Sequence, residues 1–319
     1  MHLHVWPGEF GLPSVDIECL QFMAAAKFCA APIAFHASTQ PWKSPKGELP
    51  FFNNNGEEQI TDFGEFVEFL RNSRQDVVLD NDLVPSQLCE FEAYNCLLKQ
   101  KLLPALKHLF WVDKYNYGTI VHPLYAQQVT FPYNIYYMER RRRRMDTTVR
   151  AIRKNQQQLT LDAIQALNLL SAKLSDNKYF CGDKPCSIDA LVFGCLAPLL
   201  RTPLPNDRLQ LHLSATPNLV RFVDSILSIY LPLPEKVIKE QAMARKKWQK
   251  LKMDAQQTME EGRIERELRK AEKKERNSMH HILFFAISSI TISLLFALHT
   301  GIIVVDTVDH KGKKKAKGG

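Results

Sequence analysis

A chain of 319 residues has room for one or two domains, and its 45% apolar content is ordinary for a protein with a buried core. The net charge of +8 lies largely between Glu235 and Lys317, and no basic stripe interleaved with aromatics accompanies it, which argues against nucleic acid as a partner. Seven cysteines, odd in number, scattered and without a C-x-x-C spacing, exclude a disulfide framework or a zinc module and suit a reducing, cytosol-facing setting.

Residues 2–6 and 33–37 are short apolar runs of strand type. Between them, 14–30 reads as a helix that starts after Pro13, with Ser14 as its N-cap and Asp16 in its first turn. A β–α–β opening needs a right-handed crossover and a parallel strand pair. His2 and His4 alternate on the first strand and share one face, with no third ligand in sight, so no metal is expected. No basic region precedes an apolar one here, so neither a secretory signal nor a transit peptide is expected. After Pro41 and Trp42 comes a strand at 48–52, and then Asn53-Asn54-Asn55-Gly56, residues that tolerate positive φ in a tight hairpin. A short strand at Gln59-Ile60 follows. Asp62 then caps a helix through Asn72 whose apolar side is Phe63, Phe66, Val67, Phe69 and Leu70. These elements make a first domain of residues 1–75.

From Pro85 the pattern is wholly helical, giving a second domain over 85–234. A helix over 90–103 should be kinked or ended by Pro104, and 106–112 continues it. Cys89 and Cys96, seven apart, share a helix face, which packing explains better than metal. A basic helix over 133–153 holds Arg140 to Arg144; five consecutive arginines cover all sides of a helix, so one or two must touch the body. The helix over 159–174 is amphipathic. The one over 188–200 is apolar on nearly every side and should be the central buried helix, and 217–230 closes the body.

Residues 235–277 change character. Glu alternates with Lys and Arg, and apolar residues are sparse, as in a solvated helical spacer held by i,i+4 pairs. Ile282 to Val305 then carries no charge beyond one histidine, His299, and is long enough to cross a ~30 Å hydrocarbon core. The expected anchor covers 278–305, followed by a basic tail over 306–319 with five lysines. The reading is a cytosol-facing body tied to a membrane by one C-terminal span.

The order βαβ, loop, ββα, then all helix, with Leu49-Pro50 before the hairpin, resembles the glutathione transferase architecture. That resemblance implies a thioredoxin-like α/β domain plus an all-α domain, a cis bond at Pro50, and a structural Asp189 in the first turn of the buried helix. The family usually has Ser or Thr three residues before that aspartate; here Cys186 stands there and Ser187 follows, so Ser187 is expected as the N-cap in a shifted register. The chain resembles the metaxins more specifically. Gly11 to Asp16 reads Gly-Leu-Pro-Ser-Val-Asp, Lys101 to Pro104 reads Lys-Leu-Leu-Pro, Phe110 to Asp113 reads Phe-Trp-Val-Asp, and Ile188 to Phe193 gives a third match. The resemblance covers about residues 1–235, and the spacer and anchor resemble the membrane-anchored branch. It implies a component of the mitochondrial outer-membrane sorting and assembly machinery that helps insert β-barrel proteins. The partners it implies are a second metaxin paralogue and the barrel-forming subunit.

Glutathione chemistry needs a hydroxyl or thiol at the start of the first helix and, by the transferase pattern, a Glu/Gln-Ser pair opening the helix after the hairpin. Ser14 is in the right neighbourhood, but an N-cap explains it; the pair is replaced by Asp62-Phe63, which offers no hydroxyl. The expectation is therefore a non-enzymatic scaffold with no catalytic residue, cofactor or metal. The alternatives are an adaptor to cytosolic transport machinery and, further off, a transferase. Partner contacts are expected at Trp6, Phe10 and Leu12, an aromatic and proline-stiffened loop, and at Arg140, Arg142 and Arg144.

Overall fold

The computed structural model describes residues 1–56, 59–73, 77–81 and 83–300. The chain divides into two compact units, Met1–Thr258 and Met259–Gly319.

In the first unit, β1 (His2–Val5) pairs in parallel with β2 (Ala34–Ala37), His2 opposite Ala34. On its other side β1 runs antiparallel to β3 (Phe51–Asn53), which pairs with β4 (Gln59–Ile60). The sheet order is β2-β1-β3-β4. Leu3 and Val5 point into the core while His2 and His4 lie on the other face, the period of two that a half-buried strand requires. The hairpin turns through Asn55 and Gly56, both at positive φ.

The crossover helix α1 is Ile17–Phe28, three residues shorter at its start than the sequence suggests. Asp16, not Ser14, is its N-cap: Oδ1 accepts the N–H groups of Glu18 at 3.1 Å and Cys19 at 3.3 Å. Ser14 is fully buried ahead of the helix, and its Oγ accepts the Asp16 N–H at 3.5 Å. Helix α2 (Phe63–Asn72) begins as expected on Asp62.

Helix α3 (Pro85–Leu97) starts five residues earlier than read, with Pro85 in its first turn, where its missing N–H costs nothing. Pro104 does not end the helical path. A π-helical turn at Leu98–Leu102 leads into α4 (Leu103–Lys107), which carries Pro104 in its first turn, and a second wide turn follows at His108–Val112. The wider turn gives the proline ring room and asks for no N–H from it. Three pieces escaped the sequence: α5 (Lys114–Asn116) on the Asp113 cap, a π turn at Tyr117–Val121, and α6 (His122–Ala126). Then come α7 (Tyr133–Ala151), α8 (Gln156–Leu174), α9 (Ser187–Arg201), a missed α10 (Arg208–Ser214) and α11 (Pro217–Ile229).

Helix α9 is the central buried helix, with Ala190, Val192, Phe193 and Leu196 fully inaccessible. It lies against α1 at close range because Gly194 faces Gln21 and Ile17; a Cβ there would stand 2.3 Å from Gln21 Cγ and 2.7 Å from the Ile17 carbonyl oxygen. Ala24, Ala25 and Ala26 keep α1 slim within the core.

Helix α12 is Glu235–His299. The expected solvated spacer does not begin at Glu235. Within the first unit Trp248 is 2% exposed and packs edge-on to Phe10, 5.4 Å between ring centroids. Gln241 accepts the Gly11 N–H at 2.7 Å, Lys252 pairs with Asp207 at 2.9 Å, and Gln256 donates to the Pro205 carbonyl at 3.1 Å. These groups recur on one side of the helix, so its outer face alone made the segment look wholly polar.

In the second unit, the charged stretch carries the i,i+4 pairs Arg263–Glu267 and Arg269–Glu265. The apolar stretch beyond leaves Phe284, Ile287, Ile290 and Leu295 exposed, and it is long and apolar enough to be a candidate membrane span. Residues 301–305 of the expected span and the whole basic tail, 306–319, lie outside the described residues.

Candidate functional site

The Leu49–Pro50 bond is cis, and Pro50 is buried on the wall of the largest cleft described, about 640 Å³. Lys46, Asp62, Phe63, Arg71 and Phe91 are among its other lining residues. This is the place where a transferase-like cleft is expected. Its two polar grips are spent within the protein. Asp62 accepts the N–H groups of Gly64 at 2.8 Å and Glu65 at 3.2 Å, so its carboxylate serves the start of its own helix. Ser14 is inaccessible, and Cys19 beside it is buried and pushed well above the usual thiol range by desolvation. Neither supplies a ready nucleophile.

Beside the cleft lies a buried ion pair that the sequence did not single out. Arg141, from the middle of the arginine run, sends Nη2 to Asp16 Oδ2 at 2.5 Å, with both side chains almost wholly buried. Tyr125 donates its hydroxyl to the same Oδ2 at 3.1 Å. The guanidinium stacks over Trp111, 4.6 Å from its centroid, and over Tyr125 at 5.0 Å. Burial pushes the Tyr137 phenol, which accepts from Arg141 Nη1, up to about 12. One carboxylate thus caps α1 and holds α7, tying the α/β part to the helical part. The only signal in the sequence was the geometric one, that a run of five arginines must turn some inward. Glu18 keeps a water-accessible edge nearby, yet the protein packed around its carboxyl, and then the Asp16 charge, push it up to about 7.

At the start of α9, Asp189 is fully buried and accepts from the Phe180 N–H at 2.9 Å, the Cys186 N–H at 2.8 Å and the Cys186 thiol at 2.9 Å. Cys186 is the residue at the N-cap position, in place of the expected Ser187. Ser187 is instead the first helical residue, its N–H and hydroxyl both turned to Asp80. Desolvation outweighs these donors and pushes the Asp189 carboxyl up to about 6.

The expected partner loop is mostly interior. Trp6 and Leu12 are fully inaccessible, and Phe10 is half-buried under Trp248. The docked start of α12 covers the loop, Gln241 bonding the backbone at Gly11 and Leu12. On α7, Arg142 is half-buried over the Tyr117 ring at 4.4 Å, Arg144 pairs with Glu48 at 2.5 Å, and Arg140 is exposed. The histidine face gains a third member, His36, whose ring lies 2.8 Å from that of His2 across the parallel strands. Among the described residues, however, no group of three or more His, Cys, Asp or Glu side chains has a geometry that could hold a metal ion.

Over 307 residues the chain is 46% identical to the Metaxin-1 homolog of Caenorhabditis briggsae, covering 96% of this chain and 97% of that protein. The chain belongs to the metaxin family. Metaxin-1 of Bos taurus is 36% identical over 241 residues, 73% of this chain and 75% of that protein, and Metaxin-3 of Xenopus laevis is 37% identical over 239 residues, 72% and 76%. Residues 19–142 match the family model described as outer mitochondrial membrane transport complex protein, and 163–226 the one described as glutathione S-transferase, C-terminal domain. Among solved structures, the β-etherase LigF of Sphingobium superposes with a TM-score of 0.50 at 15% identity, over 76% of this chain and 98% of that one. A glutathione S-transferase of Ceriporiopsis subvermispora superposes equally, at 14% identity over 73% and 98%. Those likenesses give the fold, a transferase-like body with a small mixed sheet. The metaxin family supplies the role, in an outer mitochondrial membrane transport complex.

Proposed function

We propose that this metaxin-family chain is a non-catalytic component of the outer-membrane sorting and assembly machinery, helping β-barrel proteins to insert. It works beside a second metaxin and the barrel-forming subunit, with its first unit on the cytosolic side and the α12 span as its anchor. The observation that carries the non-catalytic part is the cleft: Asp62 is committed to its own helix, Ser14 is sealed in the core, and the loop of Phe10 to Leu12 is covered by α12. A body that keeps a transferase shape but spends its cofactor grips on itself offers surfaces instead of chemistry. Of the expected partner residues, Arg140 and Arg144 on α7 remain accessible.

Depletion of the protein tests this reading. Outer-membrane β-barrel proteins should fall while matrix import is maintained. Unchanged barrel levels with displaced mitochondria would favour an adaptor to transport machinery, and saturable binding of glutathione to the purified protein would return it to the transferases.

A further inference from the structure

We propose that the aromatic and basic face at the start of α7 docks onto the surface of an anionic lipid bilayer. Phe131 is 79% exposed, Ile135 63%, Tyr136 59% and Trp42 43%. Trp42, Tyr133 and Tyr136 form one neighbourhood: Trp42 meets Tyr133 edge-on at 4.9 Å, and Tyr133 lies 6.0 Å from Tyr136, with Phe131 just ahead of this turn in the chain. Leaving this much ring surface in water marks a contact site.

The charges adjoin the rings. One turn beyond Tyr136 on α7 comes Arg140, and one turn further Arg144. The loop carrying Lys43 and Lys46 lies alongside, since Arg144 pairs with Glu48 and Arg140 Nη1 comes within 3.9 Å of where a Cβ on Gly47 would stand. Lys43, Lys46 and Arg140 are exposed and make no ion pair among the described residues, so their charge is unspent. Tyrosine and tryptophan suit the headgroup level, phenylalanine reaches the acyl boundary, and lysine and arginine meet lipid phosphates. None of these rings lines a described cavity, and a protruding patch without a groove fits a soft bilayer better than a bound peptide. The candidate span on the same chain keeps a membrane at high effective concentration. The inference rests on the membrane-anchored reading but not on β-barrel assembly.

The test uses the full-length chain reconstituted into vesicles of phosphatidylcholine, with or without cardiolipin, whose acyl chains carry bromine. Trp6, Trp111 and Trp248 are buried, so bromine quenching reports Trp42, and Trp42→Phe supplies the background. Trp42 emission should be quenched in cardiolipin vesicles and recover at high salt. The triple variant Lys43→Gln, Lys46→Gln, Arg140→Gln should lower the docked-to-free ratio roughly fivefold for each charge removed. Unquenched Trp42 in cardiolipin vesicles overturns the proposal, as does equal quenching of the triple variant and the wild type. Unaltered quenching with loss of a co-purifying subunit would make the face a protein interface and also overturns it. Flotation of the vesicles at high salt reads the anchor separately, so lost docking with retained flotation strikes this proposal alone.

Discussion

At the residue scale, three carboxylates hold the body together, and each is placed by the backbone donors it serves. Asp16 and Asp62 cap α1 and α2, and Asp189 closes the turn before α9. Asp189→Ala leaves the buried N–H groups of Phe180 and Cys186 without an acceptor, and the loss should be on the order of 3 kcal/mol, a missing cap plus an unsatisfied donor. Its carboxyl also makes stability depend on pH. The folded value of about 6 stands above the ordinary 3.8, so the native state keeps a proton that the unfolded chain has released. That contribution is fully present below the lower value and is lost as pH rises through the upper one. Urea unfolding of wild type and Asp189→Asn across this window should show the steeper decline in the wild type, and parallel curves would mean the group does not titrate there. Asp189 and Asp62 were legible because a cap has a local signature. Asp16 was not assigned its cap, because Ser14 offers an equally good local candidate and only the buried Arg141, 125 residues away, decides between them.

At the scale of elements, the sheet, α1, α2, α8 and α11 were visible as apolar patterns, α9 as a nearly continuous apolar run and α7 as a basic one. What escaped were short or unusual pieces. Between α4 and α6 the chain alternates α and π turns around Pro104 and Pro123, and no fixed period describes it. The first turns of α12 escaped for another reason: a single deeply buried tryptophan and a few glutamines and lysines dock it, too few apolar residues to register as a stripe. Close helix contact is similarly silent in sequence, since a glycine on an apolar helix reads as a weakness. In an exposed helix Gly→Ala stabilises by roughly 1 kcal/mol. At Gly194 the sign should reverse, because the added methyl meets the Ile17 carbonyl and Gln21 across the α1–α9 contact. Gly194→Ala should cost about 1–3 kcal/mol as an overpacked core site. Equilibrium unfolding with a higher midpoint than wild type would show that the two helices have room to part.

At the scale of the whole molecule, the sequence placed a boundary at residue 235, where charge begins to dominate, whereas the compact first unit runs to Thr258. Composition changes along α12 before its packing does, because a docked helix shows its charged face to water whichever body it belongs to. The two boundaries make opposite predictions for truncation. Ending the chain after residue 234 removes Trp248 from Phe10 and takes Gln241 from the covered backbone at Gly11 and Leu12. Losing a buried tryptophan costs about 3–5 kcal/mol, so this product should melt well below the full-length protein or fail to accumulate. Ending it after residue 258 removes the candidate span and keeps the Gln241, Trp248, Lys252 and Gln256 contacts, so the product should leave the membrane fraction under carbonate extraction and melt near the full-length value. If both products melt alike, the docked turns contribute nothing to the body and the boundary belongs at residue 235. If the longer product stays in the membrane fraction under carbonate, the span in α12 is not the tether that holds this chain.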